Sequence, residues 1–371
     1  MRSRRNPDLN ALSMTGKIGW KHTIDADLEE VFPASGQLGQ DGETWNARAS
    51  ARSWRREFQG TLARLILRNF PRSSLQTIHT NADRSFPLSG KYIRVRFTSG
   101  ARQWLAIAVA PQEGQEGIDG LLSHGLLWRE YARTRKSLKP AKLILIAPTG
   151  KTLVLVSRLA WIAGTGHEIL LMEMDVERSS LRFVDLSDCG NLDTALTRVQ
   201  PAKYSPRFPG PSWGRSSKER CLQDALQQQV TLVNPALDQR HVYPQVPAFL
   251  AGTRGMIDIL TVTKQGRLAI LELKVSEDVE LPMQGLDYWL RVRWHQQRGE
   301  FQKKGYFPGL VLSAEPPLLY FVGPLFRYHD SFPKISKYIV PAVPICQVGI
   351  NENWSEGVQV LRRRFLNPGS F

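Results

Sequence analysis

The chain has little of what marks a membrane-spanning or secreted protein. No run of 18 uninterrupted apolar residues occurs in its 371 residues, so a transmembrane helix is not expected. The basic residues 1–7 are followed by no apolar stretch, which argues against a secretory signal. Its three cysteines, Cys189, Cys221 and Cys346, are too far apart for a metal knuckle and are not an even disulfide set. These absences predict a cytoplasmic protein in a reducing compartment.

Several common catalytic signatures are also missing. The sequence contains no G-x-S-x-G nucleophile elbow, no G-x-x-x-x-G-K-[ST] phosphate loop and no G-x-G-x-x-G dinucleotide fingerprint. A serine hydrolase of the elbow type, a P-loop nucleotidase and a Rossmann dehydrogenase are therefore not expected.

The charge is strongly basic and unevenly spread. The formal net charge is +15, and residues 61–215 carry 22 Lys and Arg against 12 Asp and Glu. Such a surplus attracts polyphosphates, including nucleic acids. A role in solubility alone explains the surplus equally well.

The chain is predicted to divide into four segments. Residues 1–45 are polar without a sustained period and are predicted to form an arm. Residues 46–199 form a first α/β module, and residues 217–371 form a second module with a closing hairpin. Residues 200–216 contain four prolines, which block both helices and sheet ladders, and are predicted to be a linker.

The two halves run through the same order of elements: helix, strands, helix, strand and closing hairpin. Short matches recur at corresponding places, namely Leu105-Ala106-Ile107 with Leu268-Ala269-Ile270, and Leu121, Gly125 and Leu126 with Leu281, Gly285 and Leu286. The pattern predicts an α/β protein of two related modules, each a central mixed sheet flanked by helices. Two unrelated α/β domains with similar strand patterns are the alternative.

One strand of the second half carries charges where packing alone would not place them. Residues 267–275 are apolar on both faces, which is typical of a central strand, yet they include Glu272 and Lys274. Burying either charge unpaired is costly. The two residues are two positions apart, so their side chains leave the same face of the sheet.

A second carboxylate lies on the preceding strand. Asp258 occurs in an apolar run, and residues 264–266 between the strands end in Gly266, which suits a short hairpin loop. If Thr263 pairs with Arg267, then Asp258 lies opposite Glu272, with the two Cβ atoms about 5 Å apart.

Two carboxylates this close repel each other unless a cation lies between them. Oxygen ligands with room for water suit Mg²⁺ or Mn²⁺. A lysine beside the metal can orient a water and offset charge at phosphorus. The alternative is an ion pair between Glu272 and Lys274 at the end of a strand.

These elements resemble the PD-(D/E)xK, or restriction-endonuclease-like, nuclease superfamily over residues 215–325. Helix, strand, Asp258 strand and Glu272-x-Lys274 strand follow in the family order. In the next helix, Gln284 and Tyr288 look like the Q-x-x-x-Y motif of the RecB and lambda-exonuclease-like branch. One departure is that Ile257, not a proline, precedes Asp258.

The resemblance implies a magnesium- or manganese-dependent nuclease acting on nucleic acid, with DNA favoured. It implies metal ligation by Asp258, Glu272 and Glu219, and a role near the site for Gln284 and Tyr288. Glu219 also suits the start of its helix as a plain acid. Arg291 and Arg254 are candidates for binding substrate phosphate, although Arg291 also fits an ordinary solvated helix face.

The first module is predicted to be degenerate. The Glu272 and Lys274 positions correspond to Val109 and Pro111, and the Asp258 position falls near Ile93 or Arg94. Such a module cannot hold a metal in the same way. It is predicted to bind nucleic acid or to act as the partner in an intramolecular pseudo-dimer, and a homodimer is the alternative. A non-catalytic nucleic-acid-binding scaffold is the alternative function for the whole chain.

Overall fold

The computed structural model describes residues 42–80, 89–134, 142–186, 217–250 and 253–366. The chain divides into two compact units, residues 1–49 and 50–371. The predicted linker and residues 1–41 of the predicted arm lie outside the described residues. Everything that follows concerns the unit that begins at residue 50, together with the helix that leads into it.

In the residues that the structure describes, the first half contributes one sheet and four helices. Its strands are β1 (Ser73–His79), β2 (Tyr92–Ser99), β3 (Arg102–Val109), β4 (Lys142–Pro148), β5 (Ile169–Asp175) and β6 (Ser180–Phe183). Its helices are α1 (Gly42–Asn69), α2 (Gln115–Asp119), α3 (Leu121–Thr134) and α4 (Leu153–Leu159).

The second half contributes the other sheet. Its strands are β7 (Tyr243–Leu250), β8 (Thr253–Val262), β9 (Leu268–Leu273), β10 (Leu318–Pro324), β11 (Ile345–Ile350) and β12 (Val360–Phe365). Its helices are α5 (Ser217–Gln228), α6 (Leu281–Gln297), α7 (Glu300–Lys303) and α8 (Phe332–Ser336).

The two sheets have the same topology. In the described residues each sheet has six strands in sequence order, from β1 to β6 and from β7 to β12. In both, the successive pairings are antiparallel, antiparallel, parallel, parallel and antiparallel. Helix α3 joins β3 to β4 as α6 joins β9 to β10. The predicted α/β fold of two related mixed-sheet modules is confirmed.

Matching glycines let each central helix approach its sheet closely. A Cβ atom at Gly125 of α3 would lie 2.6 Å from Leu145 Cδ2, and one at Gly285 of α6 would meet the ring of Phe321. Because both positions leave no space for a methyl group, the sequence match between Gly125 and Gly285 reflects a shared packing requirement.

The two modules bury one hydrophobic core between them. A single cluster of buried side chains includes α3 and α4 from the first module and α6 and α8 from the second. The rings of Trp161 and Trp289 meet edge to face with centroids 4.8 Å apart. Ile162 and Ile339 form an isolated β-bridge across the same boundary. Separate clusters fill the outer faces of the sheets, against α1 and α5.

The structure corrects one correspondence between the modules. Ile107 pairs with Leu145 as Glu272 pairs with Phe321, and both partners lie under the matching helix glycines. Ile107, not Val109, is therefore equivalent to Glu272. Its antiparallel partner Arg94 is equivalent to Asp258, which is one of the two positions predicted.

In the described residues, four short helices lie outside the predicted order of helix, strands, helix, strand and closing hairpin, namely α2, α4, α7 and α8. Each has seven residues or fewer, which is too short for a helical period to stand out in the sequence. Among the described helices, none combines the length and apolar character that a membrane span needs.

Candidate active site

The hairpin of β8 and β9 brings the two buried carboxylates together. The strands pair from Ile259 with Leu271 to Val262 with Leu268, and the Thr263 N–H donates to the Arg267 carbonyl at 2.7 Å. The predicted register is therefore confirmed. The next pair in the same register is Asp258 with Glu272.

Both carboxylates are buried on the face of the sheet that α6 covers. Asp258 and Glu272 are each 2% exposed, and Leu260 and Ile270, on the same face, belong to the core shared by the modules. The Leu273 N–H donates to Asp258 Oδ2 at 2.7 Å. Two opposed, buried acids carry a desolvation cost that apolar side chains at these positions would avoid.

Lys274 follows directly at the end of β9. Its Nζ lies 3.3 Å from Asp278 Oδ2 and 3.5 Å from Glu219 Oε1. Burial opposes the charge, but the carboxylates of Asp278, Glu219 and Glu272 outweigh it and raise the pKa of Lys274. The side chain is therefore an ammonium group at neutral pH.

The three predicted metal ligands suit a small oxygen-ligated cation only in part. The structure places Glu219, a predicted metal ligand, beside Lys274. Among the described residues, no group of three or more His, Cys, Asp or Glu side chains is placed to hold a metal ion. Asp258 and Glu272 remain a pair of hard ligands, and Mg²⁺ is commonly bound by one or two carboxylates, with water and phosphate oxygens filling the other positions.

Gln284 and Tyr288 meet on one face of α6. Gln284 Nε2 donates to the Tyr288 hydroxyl at 3.0 Å. The Tyr288 ring covers Gly255, where a Cβ atom would lie 2.8 Å from Tyr288 Cε1. Since Gly255 is three residues before Asp258 on β8, the pair lies next to the strand that carries the first acid.

The other predicted site residues do not lie together beside the acid pair. Arg291 lies further along α6 and is only 4% exposed, so it does not belong to a solvated face. One helical turn after Arg291, His295 contacts Glu300, with Nδ1 2.6 Å from Oε2. Arg254 lies on β8, but its side chain is outside the described residues.

A cavity of about 600 Å³ lies between the modules beside these groups. Gln284, Tyr288 and Arg291 line it from the second module, and Tyr92 and His124 line it from the first. Asp278 lines it too, which connects the cavity to Lys274. Asp278 was not predicted to be a site residue. Its position four residues after Lys274 is the sequence feature that could have indicated it.

Glu280 is a second acid that the sequence did not single out. It lines the cavity in a partly buried position, where the Ser123 hydroxyl donates to its Oε2 at 2.8 Å across the boundary between the modules. Burial raises its carboxyl pKa to about 7, against the opposing effects of Arg158 and Ser123.

This raised pKa predicts that stability falls as pH rises. The folded chain holds the Glu280 proton more tightly than the unfolded chain, so its contribution is present in full below pH 4.5 and is lost on the way to about pH 7. The loss is on the order of 3 kcal/mol. Urea unfolding of the wild type and of Glu280→Gln between pH 4.5 and 7.5 measures it. The substitution is expected to flatten the profile, and an unchanged slope would contradict the assignment.

No family model matches the chain, and no curated protein does. Among solved structures, the crystal structure of a repair endonuclease from Pyrococcus abyssi is similar to part of it, with 15% identity and a TM-score of 0.21. The match covers 33% of this chain and 42% of that one, so the chain spans less than half of that protein's length. Because a TM-score this low supports no conclusion about function, the candidate site is interpreted from its own geometry.

Proposed function

We propose that the chain is a metal-dependent nuclease that hydrolyses phosphodiester bonds of nucleic acid, with DNA favoured. One observation carries the proposal: Asp258 and Glu272 are buried opposite each other on adjacent strands, with Lys274 at the end of the second strand. Two acids and an amine converging in this way suit phosphoryl chemistry better than packing.

Asp258 and Glu272 would hold Mg²⁺ or Mn²⁺, and Glu219 on α5, the third predicted ligand, lies 3.5 Å from Lys274. When bound, such an ion supplies an activated water and polarises a phosphoryl oxygen. The Leu273 N–H fixes Asp258 Oδ2, so the orientation of this carboxylate is set before any ligand arrives.

Lys274 acts through its charge. Because its pKa is raised, it stays protonated and is suited to orienting a water or stabilising negative charge on a phosphate, rather than to accepting a proton. Asp278 and Glu219 hold the ammonium group in place from two sides. Gln284 and Tyr288 offer polar groups to a strand that lies in the adjacent cavity.

The first module has no equivalent of the acid pair, but it packs against the module that carries it. Arg94 and Ile107 occupy the positions where the second module has Asp258 and Glu272, so the equivalent place holds no acid pair. Its helices α3 and α4 instead complete the shared core and one wall of the cavity. We propose that it serves as an intramolecular partner.

A non-catalytic nucleic-acid-binding protein is the second candidate. The observation that favours it is that Lys274 already has two carboxylate partners, while no group of three metal-binding side chains is found in the described residues. This candidate requires binding that weakens steeply with salt and does not respond to EDTA.

A cleavage assay separates the two candidates. The purified full chain is incubated with labelled single- and double-stranded DNA and RNA, in linear and circular forms, with Mg²⁺, Mn²⁺ or EDTA. We expect products with either metal and none with EDTA. Binding without products on every substrate would rule out the nuclease and favour the second candidate.

A further inference from the structure

Three consecutive arginines lie on the edge strand of the second sheet. In the described residues, β12 is the last strand of its sheet and pairs only with β11. Arg362, Arg363 and Arg364 are all exposed, and neither β11 nor β12 contains an acidic residue. Within the described part of the chain, none of the three forms an ion pair with a carboxylate. The strand therefore presents concentrated positive charge to solvent.

The acids nearest in the sequence have other partners. Glu352 and Glu356 lie in the loop between β11 and β12. The Arg327 Nε–H donates to Glu352 Oε2 at 3.4 Å, and the Asn353 side-chain amide donates to Glu356 Oε2 at 3.1 Å. These contacts direct both carboxylates to residues other than the arginines of β12.

The three arginines leave the strand on alternating faces. Arg363 lies on the face that α5 covers, where its Nε donates to the Val233 carbonyl at 2.7 Å and its Nη2 donates to the Leu232 carbonyl at 2.6 Å. Because side chains alternate along a strand, Arg362 and Arg364 leave the opposite face. Arg363 thus ties β12 to the segment after α5. The guanidinium groups of Arg362 and Arg364 form no hydrogen bond with any described residue.

Arg364 shares a face and a register with the candidate active site. One row of paired residues runs across the sheet from Glu272 through Phe321 and Gln347 to Arg364. Residues paired in this way leave the same face of a sheet. Three steps between neighbouring strands place Arg364 about 14 Å from Glu272, at about 4.8 Å a step.

A parallel row connects Arg362 with the end of β9. Arg362 pairs with Gly349, and Gly349 pairs with Gly323. A Cβ atom at Gly323 would meet the Lys274 carbonyl oxygen, so this row continues to Lys274. Two guanidinium groups therefore lie to one side of the site, one level with an acid and the other level with the ammonium group.

We propose that Arg362 and Arg364 bind the phosphate backbone of duplex DNA on one side of the candidate active site. The proposal rests on the proposed nuclease function for the position of the substrate. An arginine fork matches phosphate oxygens with two parallel hydrogen bonds. Phosphates follow each other at about 3.4 Å of rise along one strand, so about 14 Å corresponds to about four nucleotides from the scissile bond. These contacts add affinity and position the duplex without reading its sequence.

Charge on an edge strand also has a protective role, because it keeps the strand from pairing with another chain. Protection depends on the total charge of the strand and not on the face from which a side chain leaves. Phosphate binding beside the acids does depend on that face. The alternation of three neighbouring arginines therefore distinguishes the two roles.

The salt dependence of DNA binding in EDTA tests the proposal without cleavage. Fluorescence anisotropy with a labelled duplex of about 24 base pairs is measured between about 50 and 200 mM salt. Each phosphate contact contributes about 0.9 to the slope of log affinity against log salt. We expect Arg362→Gln and Arg364→Gln each to reduce the slope by about 0.9, and the double variant to reduce it by about 1.8.

Arg363→Gln is the matched control on the same strand. It is expected to keep the wild-type slope and to melt at a lower temperature, because it loses two hydrogen bonds to backbone carbonyls. The double variant Arg362→Gln with Arg364→Gln is expected to melt as the wild type does, since both side chains are exposed.

An unchanged slope in the double variant would overturn the proposal, as would an equal reduction of the slope in Arg363→Gln. Tighter binding of polyglutamate than of DNA, lost in the double variant, would assign the surface to an acidic polypeptide and overturn it too. If the slopes change as expected but the wild type cleaves nothing with Mg²⁺, the phosphate-binding surface stands and only the nuclease function fails. A wild type that binds no DNA would overturn both.

Discussion

Replacing Lys274 by Ala is expected to lower the rate of phosphodiester cleavage by about 10²- to 10³-fold, with affinity for nucleic acid almost unchanged. The ammonium group lies at the end of β9 beside three acids, and its charge is needed most when negative charge develops on phosphorus. Single-turnover cleavage and binding in EDTA, measured on the same substrate, separate the two effects.

The pH profile and two control variants sharpen this test. Because the pKa of Lys274 is raised, the wild-type rate is expected to show no decline from its deprotonation below about pH 10. Lys151→Ala removes an exposed lysine of the first module and is expected to cleave normally. Lys274→Arg keeps the charge and is expected to keep part of the activity. Full activity of Lys274→Ala would contradict the assigned role, and so would equal losses of cleavage and binding.

Replacing Asp287 by Ala is expected to destabilise the chain by about 3–5 kcal/mol. Asp287 on α6 holds Arg158 on α4 through two hydrogen bonds, and their side chains are 15% and 6% exposed. The substitution leaves Arg158 buried without its carboxylate. It also removes the carboxylate that interacts with Arg291. Urea unfolding followed by tryptophan fluorescence measures the loss.

A double substitution and a surface control complete the test. Arg158→Leu with Asp287→Leu removes both charges and is expected to recover most of the stability, since a buried ion pair contributes little over apolar side chains. Asp330→Ala, on the surface, is expected to change the free energy of unfolding by less than about 0.5 kcal/mol. A loss below about 1 kcal/mol in Asp287→Ala would show that the pair does not tie the modules together.

Local patterns were enough to predict the hairpin that carries the acids. The apolar strands, separated by a loop ending in Gly266, fix the register, and Gly266 has the positive φ of 84° that such a loop needs. The placement of Asp258 opposite Glu272 follows from that loop alone. The repeated Gly125 and Gly285 likewise follow from a local packing requirement that each module meets separately.

The walls of the cavity could not be predicted in the same way. Arg158 and Asp287 are 129 residues apart, and Ser123 and Glu280 are 157 apart, so only the packing of the modules brings them together. The burial of Arg291 has the same origin, because α6 alone would leave that face in solvent. The equivalence of Ile107 with Glu272 depends on the register between strands, and the short sequence match placed it two residues away, at Val109.

The central claim is that Asp258 and Glu272 together hold a divalent cation. Calorimetric titration of Mn²⁺ into the wild type and into Asp258→Asn tests this directly, because Asn keeps an acceptor for the Leu273 N–H while losing the charge. We predict saturable binding of one or two ions by the wild type and binding at least about tenfold weaker by the variant. No binding by the wild type, or equal binding by both proteins, would contradict the claim.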